Sequence, residues 1–87
     1  MATTDVISVC KHLINTGTLD HVKEAYANYQ DEDIAWDHVF LKVYIHACLK
    51  KRRDVAEWLT SLYNEFDPIE QIALRQTFAY GKYLLNK

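Results

Sequence analysis

Glycine occurs only twice in these 87 residues, at Gly17 and Gly81, and proline once, at Pro68. A turn-rich β fold uses both residues freely, so their scarcity points to long elements joined by short connections. Cysteine is equally sparse. Cys10 and Cys48 are too few for the disulfide framework of a small secreted domain, and a reducing, cytoplasmic setting is expected. No apolar run approaches the roughly 18 residues that span a bilayer. Met1 to Val9 has no basic segment followed by a long apolar stretch, so neither secretion nor membrane insertion is expected. Charge of one sign is lacking too: the formal net charge is −2, which creates no broad field to draw in nucleic acid or an anionic membrane.

Hydrophobic residues make up 49% of the chain and charged ones 25%, a balance that supports a packed core and excludes a disordered tail. The apolar residues repeat at helical spacing. Val6, Val9, Cys10, Leu13 and Ile14 line one face of a helix that ends near Gly17, and Val22, Ala25, Tyr26 and Tyr29 line a second, with Asp20 as its N-cap. After Asp31-Glu32-Asp33, an acidic run expected to face solvent, Trp36, Phe40, Val43, Tyr44 and Ala47 mark a third helix. Val55, Trp58, Leu59, Leu62 and Phe66 mark a fourth, whose start carries Asp54 and Glu57. Asp67-Pro68-Ile69-Glu70 reads as an N-cap, a proline at the first helical position and a glutamate reaching back to the cap amide. That fifth helix is expected to run to about Tyr80. Gly81 would end it in the left-handed conformation, leaving Tyr83, Leu84 and Leu85 to fold back as a short apolar lid.

A displacement of 33 residues sets Val6 on Val39, Ile7 on Phe40, Val22 on Val55, Glu24 on Glu57 and Val39 on Ile72. Two helices per period of this length suggest a stacked helical solenoid of five to six helices, an all-α fold in one domain with units at about 3–35 and 36–68 and a partial unit at 69–87. The residues 47–59, Ala-Cys-Leu-Lys-Lys-Arg-Arg-Asp-Val-Ala-Glu-Trp-Leu, resemble the ankyrin repeat in the divergent form of large DNA viruses, which reads Ala-Cys-x-Asn-Gly-His-Leu-Glu-Val-Ala-Lys-Trp-Leu. Ala47, Cys48, Val55, Ala56, Trp58 and Leu59 match, and Gly17-Thr18-Leu19-Asp20 is similar to its Gly-His-Leu-Glu. The Thr-Pro-Leu-His opening is absent, Lys51-Arg52 replaces Gly-His, and the stretches 31–35 and 64–68 look too short for full β-hairpin fingers. The resemblance implies a non-enzymatic protein-binding or assembly module, in a viral setting one acting in host cytoplasm or virion. A stack this short leaves terminal apolar faces that need a cap, a second copy or another protein.

Lys50-Lys51-Arg52-Arg53 is the only run of like charge able to grip phosphates, and a small helical nucleic-acid-binding domain using this turn is the alternative function. The other account of the run is electrostatic: cations collect at a helix C-terminus and in an exposed turn. His12, His21, His38 and His46 with Cys10 and Cys48 supply metal-binding atoms. Cys10 with His12 and His46 with Cys48 are two apart, however, and diverge on a helix, and no metal-ligand motif occurs. The expectation is core cysteines, no metal and no cofactor. Ser8 and Ser61 lie in no nucleophile motif and no glycine-rich phosphate loop exists, so no catalytic residue is assigned. Aromatics reach 13% of the chain, which makes some surface rings expected. Tyr63, Phe66 and Tyr83, near the end of the stack, are the candidate partner-binding residues, with a homodimer among the partners they allow.

Overall fold

The computed structural model describes residues 2–28 and 34–87. They form five helices: α1 (Ala2–Thr16), α2 (Leu19–Asn28), α3 (Trp36–Leu49), α4 (Arg53–Asn64) and α5 (Pro68–Asn86). No strand occurs among the described residues. Tyr29 and the acidic run 31–33 lie outside them.

In α1 the expected stripe is buried at Val6, Cys10 and Ile14, with Leu13 packed against it, while Val9 turns to solvent. The helix closes through Gly17 N–H donating to Leu13 O at 2.6 Å. The cap of α2 is Thr18, not Asp20: Thr18 Oγ1 accepts from His21 N–H and His21 Nδ1 accepts from Thr18 N–H, both at 3.4 Å. Asp20 lies inside the first turn of the helix, where its charge meets the positive end of the dipole. Histidine takes the reciprocal place that glutamate holds in a capping box.

α3 is buried at Val39, Phe40, Val43, Tyr44, Ala47 and Cys48, an arc of about half its circumference. A helix buried over so wide an arc needs several neighbours. It packs against α1, α4 and α5, while α1 packs on α2 and α2 touches α4; α1 and α5 make no comparable contact. Ala35 N–H donates to Thr3 Oγ1 at 3.2 Å, which holds the start of α3 beside the start of α1, so the two run in the same direction. α4 buries Val55, Ala56 and Leu59. Phe66 falls in the turn beyond α4, where its ring meets Phe40 edge-on at 5.2 Å.

α5 departs from expectation at both ends. Asp67 occupies the N-cap with Pro68 just after it, but no side-chain cap bond forms. Gln71 closes the joint instead: its backbone N–H donates to Asp67 O at 2.9 Å, and its Nε2 donates to Tyr63 O at 3.0 Å. At the other end the helix does not stop at Gly81. It continues to Asn86, and no lid folds back. Gly81 is buried, and a Cβ there would run into the Tyr44 ring and lie 3.1 Å from Cys48 Sγ. This glycine serves close helix approach, not termination. Around it, Phe40, Tyr44, Phe78 and Tyr63 form a closed circuit of stacked rings, with centroids 5.6, 5.2, 4.4 and 6.1 Å apart in that order. A second group joins Tyr26 to Trp36 and Trp58. Most of the aromatics are therefore core, each pair adding about 0.5–1.5 kcal/mol beyond its buried area.

Candidate interaction surface

α3 ends at Leu49, and the basic run follows directly. Lys51 takes the left-handed conformation at φ 59°. Its N–H donates to Cys48 O at 3.1 Å and Arg52 N–H to Ala47 O at 3.0 Å, the pair of bonds that closes a helix in a Schellman turn.

The side chains of the run reach neighbouring helix ends. Arg52 donates through Nη1 to Ile14 O at 2.7 Å and Gly17 O at 3.1 Å, at the end of α1. Its other nitrogens pair with Asp54, Nη2 to Oδ2 at 3.1 Å. That contact holds the Asp54 carboxyl below the usual carboxylate range. Lys51 Nζ donates to Leu84 O, and Arg53 Nη2 to Leu85 O at 3.1 Å, at the end of α5. α1, α3 and α5 thus bring their negative dipole ends to one edge of the molecule, and the cations sit there. Of the four candidate phosphate contacts, Lys51, Arg52 and Arg53 are engaged with backbone carbonyls. Lys50 is exposed and makes no side-chain hydrogen bond among the described residues.

The thiols and imidazoles are scattered. Cys10 and Cys48 are buried and free. Burial pushes the Cys10 thiol up to about 11 and raises that of Cys48 as well, so neither supplies a thiolate near neutral pH. His46 Nε2 contacts Asn15 Oδ1 at 3.0 Å. Its pKa is lowered, first by burial and then by the charges of Lys11 and Lys50. Among the described residues, no three of His, Cys, Asp and Glu gather closely enough to share an ion, and no helix is long and apolar enough to cross a membrane.

The three candidate partner-binding residues are separated by the fold. Tyr63 is half-buried in the ring circuit, and its hydroxyl donates to Gln71 O at 2.9 Å. Phe66 is half-buried against Phe40. Tyr83 stands 58% exposed on α5. It has company that sequence reasoning did not single out: Ile69 at 81%, Ile72 at 72% and Tyr80 at 56% exposed. Ile69, Ile72, Ala73, Gln76, Tyr80 and Tyr83 share one face of α5 by helical spacing, opposite the buried Leu74, Gly81 and half-buried Phe78. Beside Ile72 lies an open groove of about 220 Å³ lined by Tyr63, Pro68, Gln71, Ile72 and Arg75. The signal was available in the 33-residue displacement. Buried Val39, Phe40, Val43 and Ala47 fall on exposed Ile72, Ala73, Gln76 and Tyr80, positions that no described helix covers. At the opposite end the exposed residues of α1 are Thr4, Asp5, Ser8, Val9, His12, Asn15 and Thr16, a face polar at all but one position. No protein-family model, curated protein or solved structure matches the chain.

Proposed function

We propose that the chain is a non-enzymatic protein-interaction or assembly module, built as a short ankyrin-like stack with units at about 3–35, 36–68 and 69–87. The packing order supports the stack. α1, α3 and α5 neighbour one another in sequence, with α2 touching α4, and α1 displaced by 33 residues covers 35–49 against α3 at Trp36–Leu49. The observation that carries the interaction reading is the apolar face of α5. Four of the six large hydrophobic residues exposed among the described residues lie on this one helix, and contiguous apolar surface marks a docking site more often than scattered side chains do. In the viral setting that the resemblance to divergent repeats implies, such a module would act in host cytoplasm or in a virion.

Affinity capture from the cells that make the protein, wild type beside Ile72→Glu, tests the reading. A protein retained by the wild type and lost with the variant is the expected result. Retention of DNA or RNA that weakens with salt and disappears when Lys50, Lys51, Arg52 and Arg53 are neutralised would replace it with a nucleic-acid-binding function.

A further inference from the structure

We infer that the α5 face pairs with the α5 face of a second copy of the chain, in antiparallel register about Gln76; the inference rests on the interaction reading and names its partner. The two ends of the molecule differ in kind. The exposed face of α1 is polar apart from Val9, so an apolar α5 finds no complement there and copies do not add head to tail. An apolar patch that occurs once among the described residues can be covered by its own kind through a two-fold axis, and such a contact closes at two chains.

The order of residues along α5 suits that axis. Ile69 and Tyr83 lie seven residues to either side of Gln76, Ile72 and Tyr80 four, Ala73 and Ala79 three. Antiparallel pairing sets each isoleucine beside a tyrosine of the partner. Small alanines flank the centre, where two helices approach most closely, and Gln76 meets its own copy, its amide able both to donate and to accept. Members of each pair lean to opposite sides of the stripe, so the side chains of a layer lie next to each other instead of colliding. Glu70, Arg75 and Lys82 are off the stripe, which leaves no ion buried without a counter-charge. The stripe spans about 20 Å of helix at 1.5 Å per residue. One helix face of this length falls at or below the lower end of specific interfaces, and a dissociation constant on the order of micromolar is expected.

Light scattering across a dilution series reads the proposal directly. The mass should rise from 10.2 kDa toward twice that value as concentration passes through the micromolar range. Ile72→Glu and Tyr80→Glu, both at exposed positions, should keep the helical circular dichroism and weaken association at least about tenfold. A cysteine probe fixes the register. Gln76→Cys should form a disulfide-linked dimer under mild oxidation because it meets itself, whereas Ile69→Cys alone should not. Cys10 and Cys48 are buried and stay out of the reaction. Three results overturn the pairing: a monomer at every concentration, a dimer indifferent to Ile72→Glu, or cross-linking through Ile69→Cys but not Gln76→Cys. A monomer that still captures a foreign protein through Ile72 would sink the self-pairing alone and leave the interaction reading standing.

Discussion

Lys51 holds the left-handed conformation that costs a residue with a Cβ roughly 1 kcal/mol, and its side chain ties α3 to α5 through Leu84 O. Two substitutions separate the effects. Both Lys51→Ala and Lys51→Gly lose the tie, but only glycine relieves the backbone, so Lys51→Gly should be the more stable by about 1 kcal/mol. Thermal melts should show this as a difference of about 4–8 °C in Tm; equal Tm values would contradict the strain argument. Gly81 poses the opposite case. Alanine there gains helix propensity of about 1 kcal/mol, yet its methyl would drive into the Tyr44 ring. That ring is held between Phe40 and Phe78. Overpacking of this kind costs about 1–3 kcal/mol, so urea unfolding should find Gly81→Ala less stable than the wild type. His46 gives a pH signature. Its folded pKa lies below the ordinary value, so the unfolded chain takes up the proton first. Its stabilising effect is complete above about 6.5 and is lost as pH falls from there through the folded value. His46→Gln should flatten the decline in urea midpoint between pH 7.5 and 5.5.

Among elements, the connection between α3 and α4 does the most mechanical work. Arg52 satisfies two carbonyls at the end of α1 and the Asp54 carboxylate at the start of α4. It therefore couples three helices that share few other polar contacts. Hydrogen bonds from a charged donor contribute about 1.5–3 kcal/mol when well made, a figure reduced by solvent at a partly exposed site. Arg52→Ala should lower stability by about 1–2 kcal/mol, while Lys50→Ala should change it by less than about 0.5 kcal/mol. Denaturant melts of the pair decide the matter, and equal losses would mean that the run acts only as diffuse charge. The sequence made the residue types of this turn visible, and favourable charge at a helix C-terminus was one of its two accounts. The carbonyls they reach lie 32–38 residues away and only folding identifies them. The apolar stripes were legible for the same reason that they form: Val6, Cys10 and Ile14, or Val55 and Leu59, must share a face to be buried together. Gly81 was misread because a glycine near a helix end suits either termination or close contact. The deciding fact, the Tyr44 ring opposite, is tertiary. Asp20 was misread as the cap of α2: the helix starts at Leu19, which puts Thr18 at the cap and Asp20 inside the first turn.

At the scale of the whole molecule, the fold has a polar end at α1 and an apolar end at α5, with extents of 32 × 30 × 19 Å. Among the described residues, the core aromatics stand apart from those on the surface. The ring circuit of Phe40, Tyr44, Phe78 and Tyr63 binds α3, α4 and α5 together, and Tyr80 and Tyr83 remain outside. The sequence could not divide them, because a tyrosine at helical spacing looks the same whether a neighbour covers it or not. Tyr63 owes its half-buried place to Phe78 and Gln71 of α5, and Phe66 owes its place to Phe40 and Tyr63. Removing α5 would strip the cover from Tyr44, which packs on Phe78 and Gly81. A chain ending at Asp67 should therefore lose cooperative unfolding altogether, and a retained sharp transition in circular dichroism would show that α1–α4 can stand alone.

The two buried thiols divide the molecule in a way that can be timed. Cys10 sits in α1 and Cys48 in α3, against α5, so each becomes accessible to a thiol reagent only when its own neighbourhood opens. If the protein unfolds as one unit, both react at one rate. If the α5 end loosens first, Cys48 is labelled ahead of Cys10, and the ratio of the two rates becomes a clock for the order in which the helices come apart.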